Sequence, residues 1–209
     1  METVCENARP DDLISGIAHC LLSARQFQRD AVVLFQQGSL ASACVLGTIA
    51  LEHIGQAFWL LARWRELRDG GQVPWSKLRK QMRRDHEGRL RDGLVHFLIE
   101  IPPSLIKDPE AMWDLFQRSK RRAPASLHSL RASAQYVEPS ERRHDWVTPL
   151  AVSEKQVHDL LFKTANCYIT ALGMMKTESF RERAEQLGVQ ETLFETRDLW
   201  PRPGEDAAP

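Results

Sequence analysis

Residues 38–59 read Gly38-Ser-Leu-Ala-Ser-Ala-Cys-Val-Leu-Gly-Thr-Ile-Ala-Leu-Glu52-His-Ile-Gly-Gln-Ala-Phe-Trp59, an apolar stretch that carries one carboxylate. Apolar or small residues recur in it at the three- and four-residue spacing of one helix face, which predicts an α-helix. These residues are Leu40, Cys44, Gly47, Leu51, Ile54 and Phe58, and Leu61 continues the same spacing beyond the stretch. Glu52 lies at the edge of this stripe. Because a buried charge is unfavourable alone, the sequence predicts a partner for Glu52.

The same periodicity continues on both sides of this stretch. It predicts a first helix over about 12–36, a stop at Gly38, and a second helix over about 40–68 with Ser39 as its cap. Gly70 and Gly71 end the second helix. Because the connection between the two helices is short, we predict an antiparallel helical hairpin.

Two further helices are predicted downstream. The third runs over about 75–101 with a break near Asp85, and the last core helix begins near Ser153. Residues 104–149 between them contain prolines and turn clusters, which indicate a long irregular insertion. No segment has a strand pattern. We therefore predict an all-α, up-down helical bundle: one domain over 1–188 and a flexible tail over 189–209.

The composition excludes several classes of protein. The 209 residues suffice for one core, and 28 basic residues balance 28 acidic ones, so net charge favours neither nucleic acid nor anionic membranes. The four cysteines form no zinc-ligand pattern, and we expect neither a metal nor a cofactor. Because polar residues interrupt the longest apolar run, we expect no membrane span and a cytoplasmic location.

The candidate site is built around Glu52. His86 shares the apolar spacing of the third predicted helix, so we expect it to face the bundle interior near Glu52, with Arg89 one turn further on. An imidazole, a carboxylate that orients it and a cation are what metal-independent cleavage of a phosphodiester by 2′-hydroxyl attack requires. The alternative is that these charges form a structural ion pair that fixes helix register.

Other residues are candidates for substrate binding. Arg79 and Arg84 precede His86 on the same predicted helix, where they would stabilise developing negative charge. The basic run that includes Arg121 and Arg122 would bind phosphates, with Arg131 nearby in the chain. A solvated charge run is the alternative for these residues. The hydroxyl of Tyr136 is expected near the polar pocket.

Over about 21–175 the chain resembles the AbiV family of phage abortive-infection proteins, a branch of the HEPN superfamily. Residues 52–56, Glu-His-Ile-Gly-Gln, resemble the family pattern Glu-Glu-x-Gly-Lys, with His53 in place of the second Glu and Gln56 in place of Lys. Residues 86–89, His-Glu-Gly-Arg, resemble His-x-x-Lys, and residues 136–138, Tyr-Val-Glu, resemble Tyr-Val-Asp. The order and the spacing of these elements agree with the family.

The resemblance implies an all-helical HEPN bundle, often a homodimer with a polar pocket near its two-fold axis, acting in antiviral defence. Many HEPN proteins are metal-independent ribonucleases and others are non-catalytic binding modules. One hypothesis is therefore a ribonuclease that cleaves cellular or phage RNA and arrests growth, with Glu52, His86 and Arg89 in its active site. The other is an interaction module that senses a phage protein or blocks translation, and either function would allow control by an antitoxin.

Overall fold

The computed structural model describes residues 7–82, 88–90, 127, 129–131, 134–135, 138–139, 146–147, 152–175, 178–186, 195–196 and 198–200. The helices in these ranges are α1 (Pro10–Gln36), α2 (Leu40–Arg68), α3 (Trp75–Met82), α4 (Glu154–Met174) and α5 (Glu178–Gln186). The all-α class is confirmed. Two strands of two residues each, β1 (Glu138–Pro139) and β2 (Trp146–Val147), pair antiparallel. These strands were not predicted from the sequence.

The first two helices form the predicted hairpin. Gly38 connects them with a φ of 77°, a left-handed conformation that glycine adopts without strain. Ser39 is the N-cap residue of α2, as predicted, but its side chain makes no capping hydrogen bond, because its backbone lies at φ −82° and ψ 66°, outside the extended region typical of capping residues. The Ser39 amide instead donates to the Leu34 carbonyl at 2.8 Å.

The middle of α2 is buried between α1 and α4. Phe58 is fully buried there, which stabilises the fold by about 2–3 kcal/mol. Gly47 marks the close approach of α2 to α4, since a Cβ at this position would lie 2.8 Å from the Leu161 side chain. At the same crossing, the Thr164 hydroxyl donates to the Leu160 carbonyl at 2.9 Å. The small residue in the apolar stripe therefore sets the distance between the two helices.

The predicted capping box of the last core helix is confirmed. Ser153 is the N-cap of α4, its hydroxyl accepts from the Gln156 amide, and the Gln156 side chain accepts from the Ser153 amide. The third predicted helix is confirmed for α3 and for residues 88–90, which are also helical. Residues 83–87 and 91–101 lie outside the described ranges.

The C-terminal segment is anchored on α1 where the structure describes it, in contrast to the predicted flexible tail. Leu199 is fully buried, and its carbonyl accepts a hydrogen bond from the buried Gln28 side chain at 3.0 Å. The buried guanidinium of Arg25 pairs with Glu195 at 2.9 Å and Asp198 at 3.1 Å. An apolar side chain and two carboxylates that neutralise a buried cation hold this segment in place.

Among the helices that the structure describes, one, α2, is long and apolar enough to cross a membrane. However, 72% of its most apolar window is buried inside the protein. This burial is typical of the core helix of a bundle, and the length and composition of α2 are weak evidence for a span.

Candidate functional site

The carboxylate of Glu52 is the centre of a buried polar cluster on α2. Glu52 is only 5% exposed, which confirms its burial in the apolar stripe. Its Oε1 atom accepts a hydrogen bond from Nη1 of Arg131 at 2.5 Å, and its Oε2 atom lies 3.6 Å from Nη2 of Arg89. The predicted partner therefore exists, and within the described ranges it consists of two guanidinium groups.

Arg131 is held in place by a short helical segment of the insertion. Leu127, residues 129–131 and residues 134–135 are helical, Leu127 and Leu130 pack against the core, and Ala134 is buried. These residues and Arg131 follow the i, i+3, i+4, i+7 spacing of one helix face. From the sequence, Arg131 was expected in an irregular segment, near the residues proposed to bind phosphates. Its contact with Glu52 was not predicted, although this spacing was a usable signal.

Arg89 takes the position that the sequence predicted, on the face directed at Glu52. Its neighbour Leu90 is fully buried, which fixes the orientation of this helical segment. Nη1 of Arg89 also donates to the Met82 carbonyl at 3.5 Å, at the end of α3. Arg89 therefore connects the Glu52 carboxylate to the segment that follows α3.

Gln56 lies one turn after Glu52 and is also buried. Its side-chain oxygen accepts a weak hydrogen bond from the Cys20 thiol of α1, with 3.9 Å between sulfur and oxygen. Burial raises the pKa of the Cys20 thiol to about 12, and the nearby charge of Arg89 lowers it by a smaller amount. The thiol is therefore protonated at neutral pH, and its chemistry is that of a packing residue rather than a nucleophile.

His53 contributes an imidazole to the cluster around Glu52, which was not predicted from the sequence. It is half-buried, and its ring stacks on Phe27 of α1 with 5.5 Å between the ring centres. Burial lowers the pKa of His53, while Glu52 opposes this effect, so the ring is neutral at pH 7. Among the described residues, no group hydrogen-bonds the buried Nδ1 atom of His53. A neutral imidazole beside a carboxylate can transfer a proton.

The charges of this cluster favour an anionic ligand. Among the described residues, two guanidinium groups contact one carboxylate, and the side chains of Arg89 and Arg131 remain 19% and 17% exposed. Guanidinium groups bind phosphate oxygens through planar, charge-assisted hydrogen bonds. Within the described ranges no three His, Cys, Asp or Glu side chains are grouped so as to hold a metal ion. The arrangement therefore suits phosphate binding and charge stabilisation by protein groups.

Of the remaining predicted site residues, one lies within the described ranges. Arg79 is described, and it is exposed on α3. The others lie outside the described ranges, and the pairing of His86 with Glu52 stays a prediction. They are Arg84, His86, Arg121, Arg122 and Tyr136.

Comparisons with known proteins give one family. The family model for AbiV proteins of the HEPN type matches residues 12–170, which is more than half of the chain. This range includes Glu52, Arg89 and Arg131. No curated protein and no solved structure matches the chain.

Proposed function

The chain belongs to the AbiV family of HEPN proteins, which indicates a part in abortive infection, and we propose that it acts as a metal-independent endoribonuclease. In this proposal it cleaves cellular or phage RNA in the cytoplasm and arrests growth. The observation that supports this activity most is the pair of guanidinium groups, Arg89 and Arg131, on the buried carboxylate of Glu52. An antitoxin or a phage protein would control when the enzyme acts.

Arg89, Arg131 and Glu52 each have a defined role in the proposed reaction. Arg89 and Arg131 bind the scissile phosphate and stabilise the negative charge that develops on its oxygens as the 2′-hydroxyl attacks. Glu52 holds both guanidinium groups in position before the substrate binds. Because these groups are fixed in advance, little reorganisation is needed in the transition state.

The reaction also needs two proton transfers. A base removes the proton of the 2′-hydroxyl, and an acid protonates the 5′-oxygen that leaves. We assign one of these steps to His86, as the sequence predicts, with Arg79, Arg84 and Tyr136 in the substrate-binding surface. His53 is the proposed second imidazole, since it is adjacent to Glu52 in the chain and neutral at pH 7.

Cleavage assays test this proposal. Wild-type protein and the variants Arg131→Gln, Arg89→Gln and His86→Ala are incubated with total bacterial RNA and tRNA in EDTA. The matched control is Lys77→Gln, which removes an exposed cation from α3. We expect wild type and the control to cleave, and each site variant to be slower by about 100-fold or more. Equal cleavage by all variants, or no cleavage by folded wild type, would contradict the proposal.

A second candidate function is a non-catalytic interaction module. It is favoured by the contact of each Glu52 oxygen with an arginine, which is also the geometry of an ion pair that fixes helix register. In that case Arg121 and Arg122 form the docking surface for a phage protein. Reversal of both charges then abolishes defence, whereas His86→Ala retains it.

We further propose that the protein is a homodimer. Phe162 and Ile169 lie seven residues apart on one face of α4 and are 50% and 39% exposed. Large exposed apolar side chains on one face are typical of subunit interfaces. Light scattering coupled to gel filtration tests this point: wild type elutes as a dimer, and Ile169→Glu shifts the protein to a monomer. A monomeric wild type would contradict it.

A further inference from the structure

A second concave site lies at the opposite end of α2 from the hairpin turn. It is a cavity of about 170 Å³ enclosed by the first half of α1, the last turns of α2, the end of α4 and the start of α5. The residues that line it are Ile14, Ile17, Leu61, Trp64, Arg65, Arg68, Met175 and Phe180. Its floor is apolar, because Ile17, Met175 and Phe180 are buried.

The volume of this cavity suits one ring or a short branched chain. An apolar cavity of about 150 Å³ in another protein stays dry and takes up benzene. Trp64 supplies an aromatic surface to the lining, which favours contact with a flat apolar ligand.

The mouth of the cavity is positively charged. Arg65 and Arg68 are exposed in the last turn of α2, and the Arg68 guanidinium lies over the Trp64 ring at 5.2 Å. Arg68 is 3.8 Å from Asp69, whereas no carboxylate in the described part of the chain pairs with Arg65. An apolar floor below two guanidinium groups is complementary to an amphipathic anion.

We propose that this cavity binds a small amphipathic anion, namely one aromatic ring or short branched hydrocarbon that bears a carboxylate or phosphate. The apolar part occupies the space between Ile17 and Phe180, and the anion is bound by Arg65 and Arg68. The site is separate from the Glu52 cluster. Arg65 lies thirteen positions after Glu52 on α2, a distance of about 20 Å along the helix axis.

The binding of benzoate, phenyl phosphate and the neutral analogue benzyl alcohol tests this proposal. Calorimetry and ligand-observed NMR are done on wild type, on the double variant Arg65→Gln/Arg68→Gln, and on Leu61→Phe, which fills the cavity. The matched control is Arg63→Gln, on the same helix but outside the lining. Because Arg65 and Arg68 also complement the helix dipole of α2, each variant is first checked for native circular dichroism and melting.

We expect wild type and Arg63→Gln to bind at least one of the two anions about tenfold or more tightly than benzyl alcohol. The double variant loses this preference, and Leu61→Phe, if folded, loses all binding. The double variant alone decides the result, since its substituted side chains are exposed and should not prevent folding. The proposal is overturned if wild type binds none of the three probes, if it binds all three equally, or if the double variant keeps the preference.

Discussion

The Glu52 carboxylate accepts a hydrogen bond from Arg131 at 2.5 Å across 79 positions of sequence. The contact joins the central core helix to a segment that, by its prolines and turns, had been predicted to be irregular. Leu127 and Leu130, on either side of this contact, pack against the core. Apolar packing and an ion pair therefore both hold this segment against the core. The described residues of this segment therefore lie beside the candidate site rather than at the periphery.

A double-mutant cycle measures this coupling. We expect Glu52→Gln and Arg131→Gln each to lower the free energy of unfolding by about 2 kcal/mol, because each removes a charge-assisted hydrogen bond between two largely buried side chains. The double variant should lose less than the sum, by about 1–2 kcal/mol. Urea unfolding monitored by circular dichroism gives all four values. Strict additivity would show that the two side chains do not interact in solution.

The helix crossing at Gly47 gives a second prediction. A Cβ at Gly47 would lie 2.8 Å from Leu161 Cδ2, so Gly47→Ala should destabilise the protein by about 1–3 kcal/mol. Gly173 is the matched control, because no atom lies within 4 Å of a Cβ added there and it is on the exposed side of α4. Gly173→Ala should be neutral or stabilise by up to about 1 kcal/mol. Thermal melts of both variants check the difference, and equal effects would refute it.

The long helices were predictable because each has a continuous apolar face. The apolar spacing of α2 and the Ser153–Gln156 box of α4 required no knowledge of the tertiary structure. Family resemblance added the assignment to HEPN proteins, which periodicity alone does not provide. Glu52 was recognised as a site residue because a carboxylate in an apolar stripe needs a partner.

The partners of Glu52 were harder to predict than its burial. Arg131 lies in a helical segment too short for its period to stand out beside Pro124, and only the folded chain brings it to α2. Leu199 was missed for a related reason, because it docks as one apolar side chain without a repeating pattern. His53 was not predicted to belong to the site, although it is half-buried beside Glu52 in the sequence. Its contacts with Phe27 depend on helix packing.

Alkaline pH should destabilise the fold. Burial raises the thiol pKa values of Cys20 and Cys167 from 9.0 to about 12. Above pH 9 the unfolded chain therefore releases protons that the folded chain retains, and the free energy of unfolding falls as pH rises. We expect a loss of about 1 kcal/mol per thiol by pH 10. Tyr168 acts in the same direction, since burial also raises its pKa.

Urea unfolding at pH 7.0 and at about pH 10 measures this loss. The variant Cys20→Ala/Cys167→Ala removes both thiols, so its free energy of unfolding should depend less on pH. At neutral pH this variant should be less stable than wild type. An unchanged dependence on pH would mean that these thiols ionise as easily in the folded protein as in the unfolded chain.

Acidic pH should also destabilise the fold, through His53. Its pKa in the folded protein lies below 6.5, mainly because of burial. The unfolded chain therefore takes up a proton first as pH falls, so the stability that the neutral ring contributes is present above pH 6.5 and is lost below it. NMR titration should give a midpoint below 6.5 for His53, and His53→Gln should weaken the loss of stability between pH 7 and pH 5. A midpoint above 6.5 would contradict this account.

The contacts of Arg25 with Glu195 and Asp198 join the first helix to residues that lie 170 and 173 positions later in the chain. On the ribosome, α1 and α2 emerge early and can pair, but the Arg25 guanidinium then faces an apolar interior without its carboxylates. Only when Glu195, Asp198 and Leu199 emerge is this charge neutralised and the surface around Leu199 covered. A prematurely terminated product would therefore keep an exposed apolar surface and an uncompensated charge, the features by which cellular proteases and chaperones distinguish incomplete chains from finished ones.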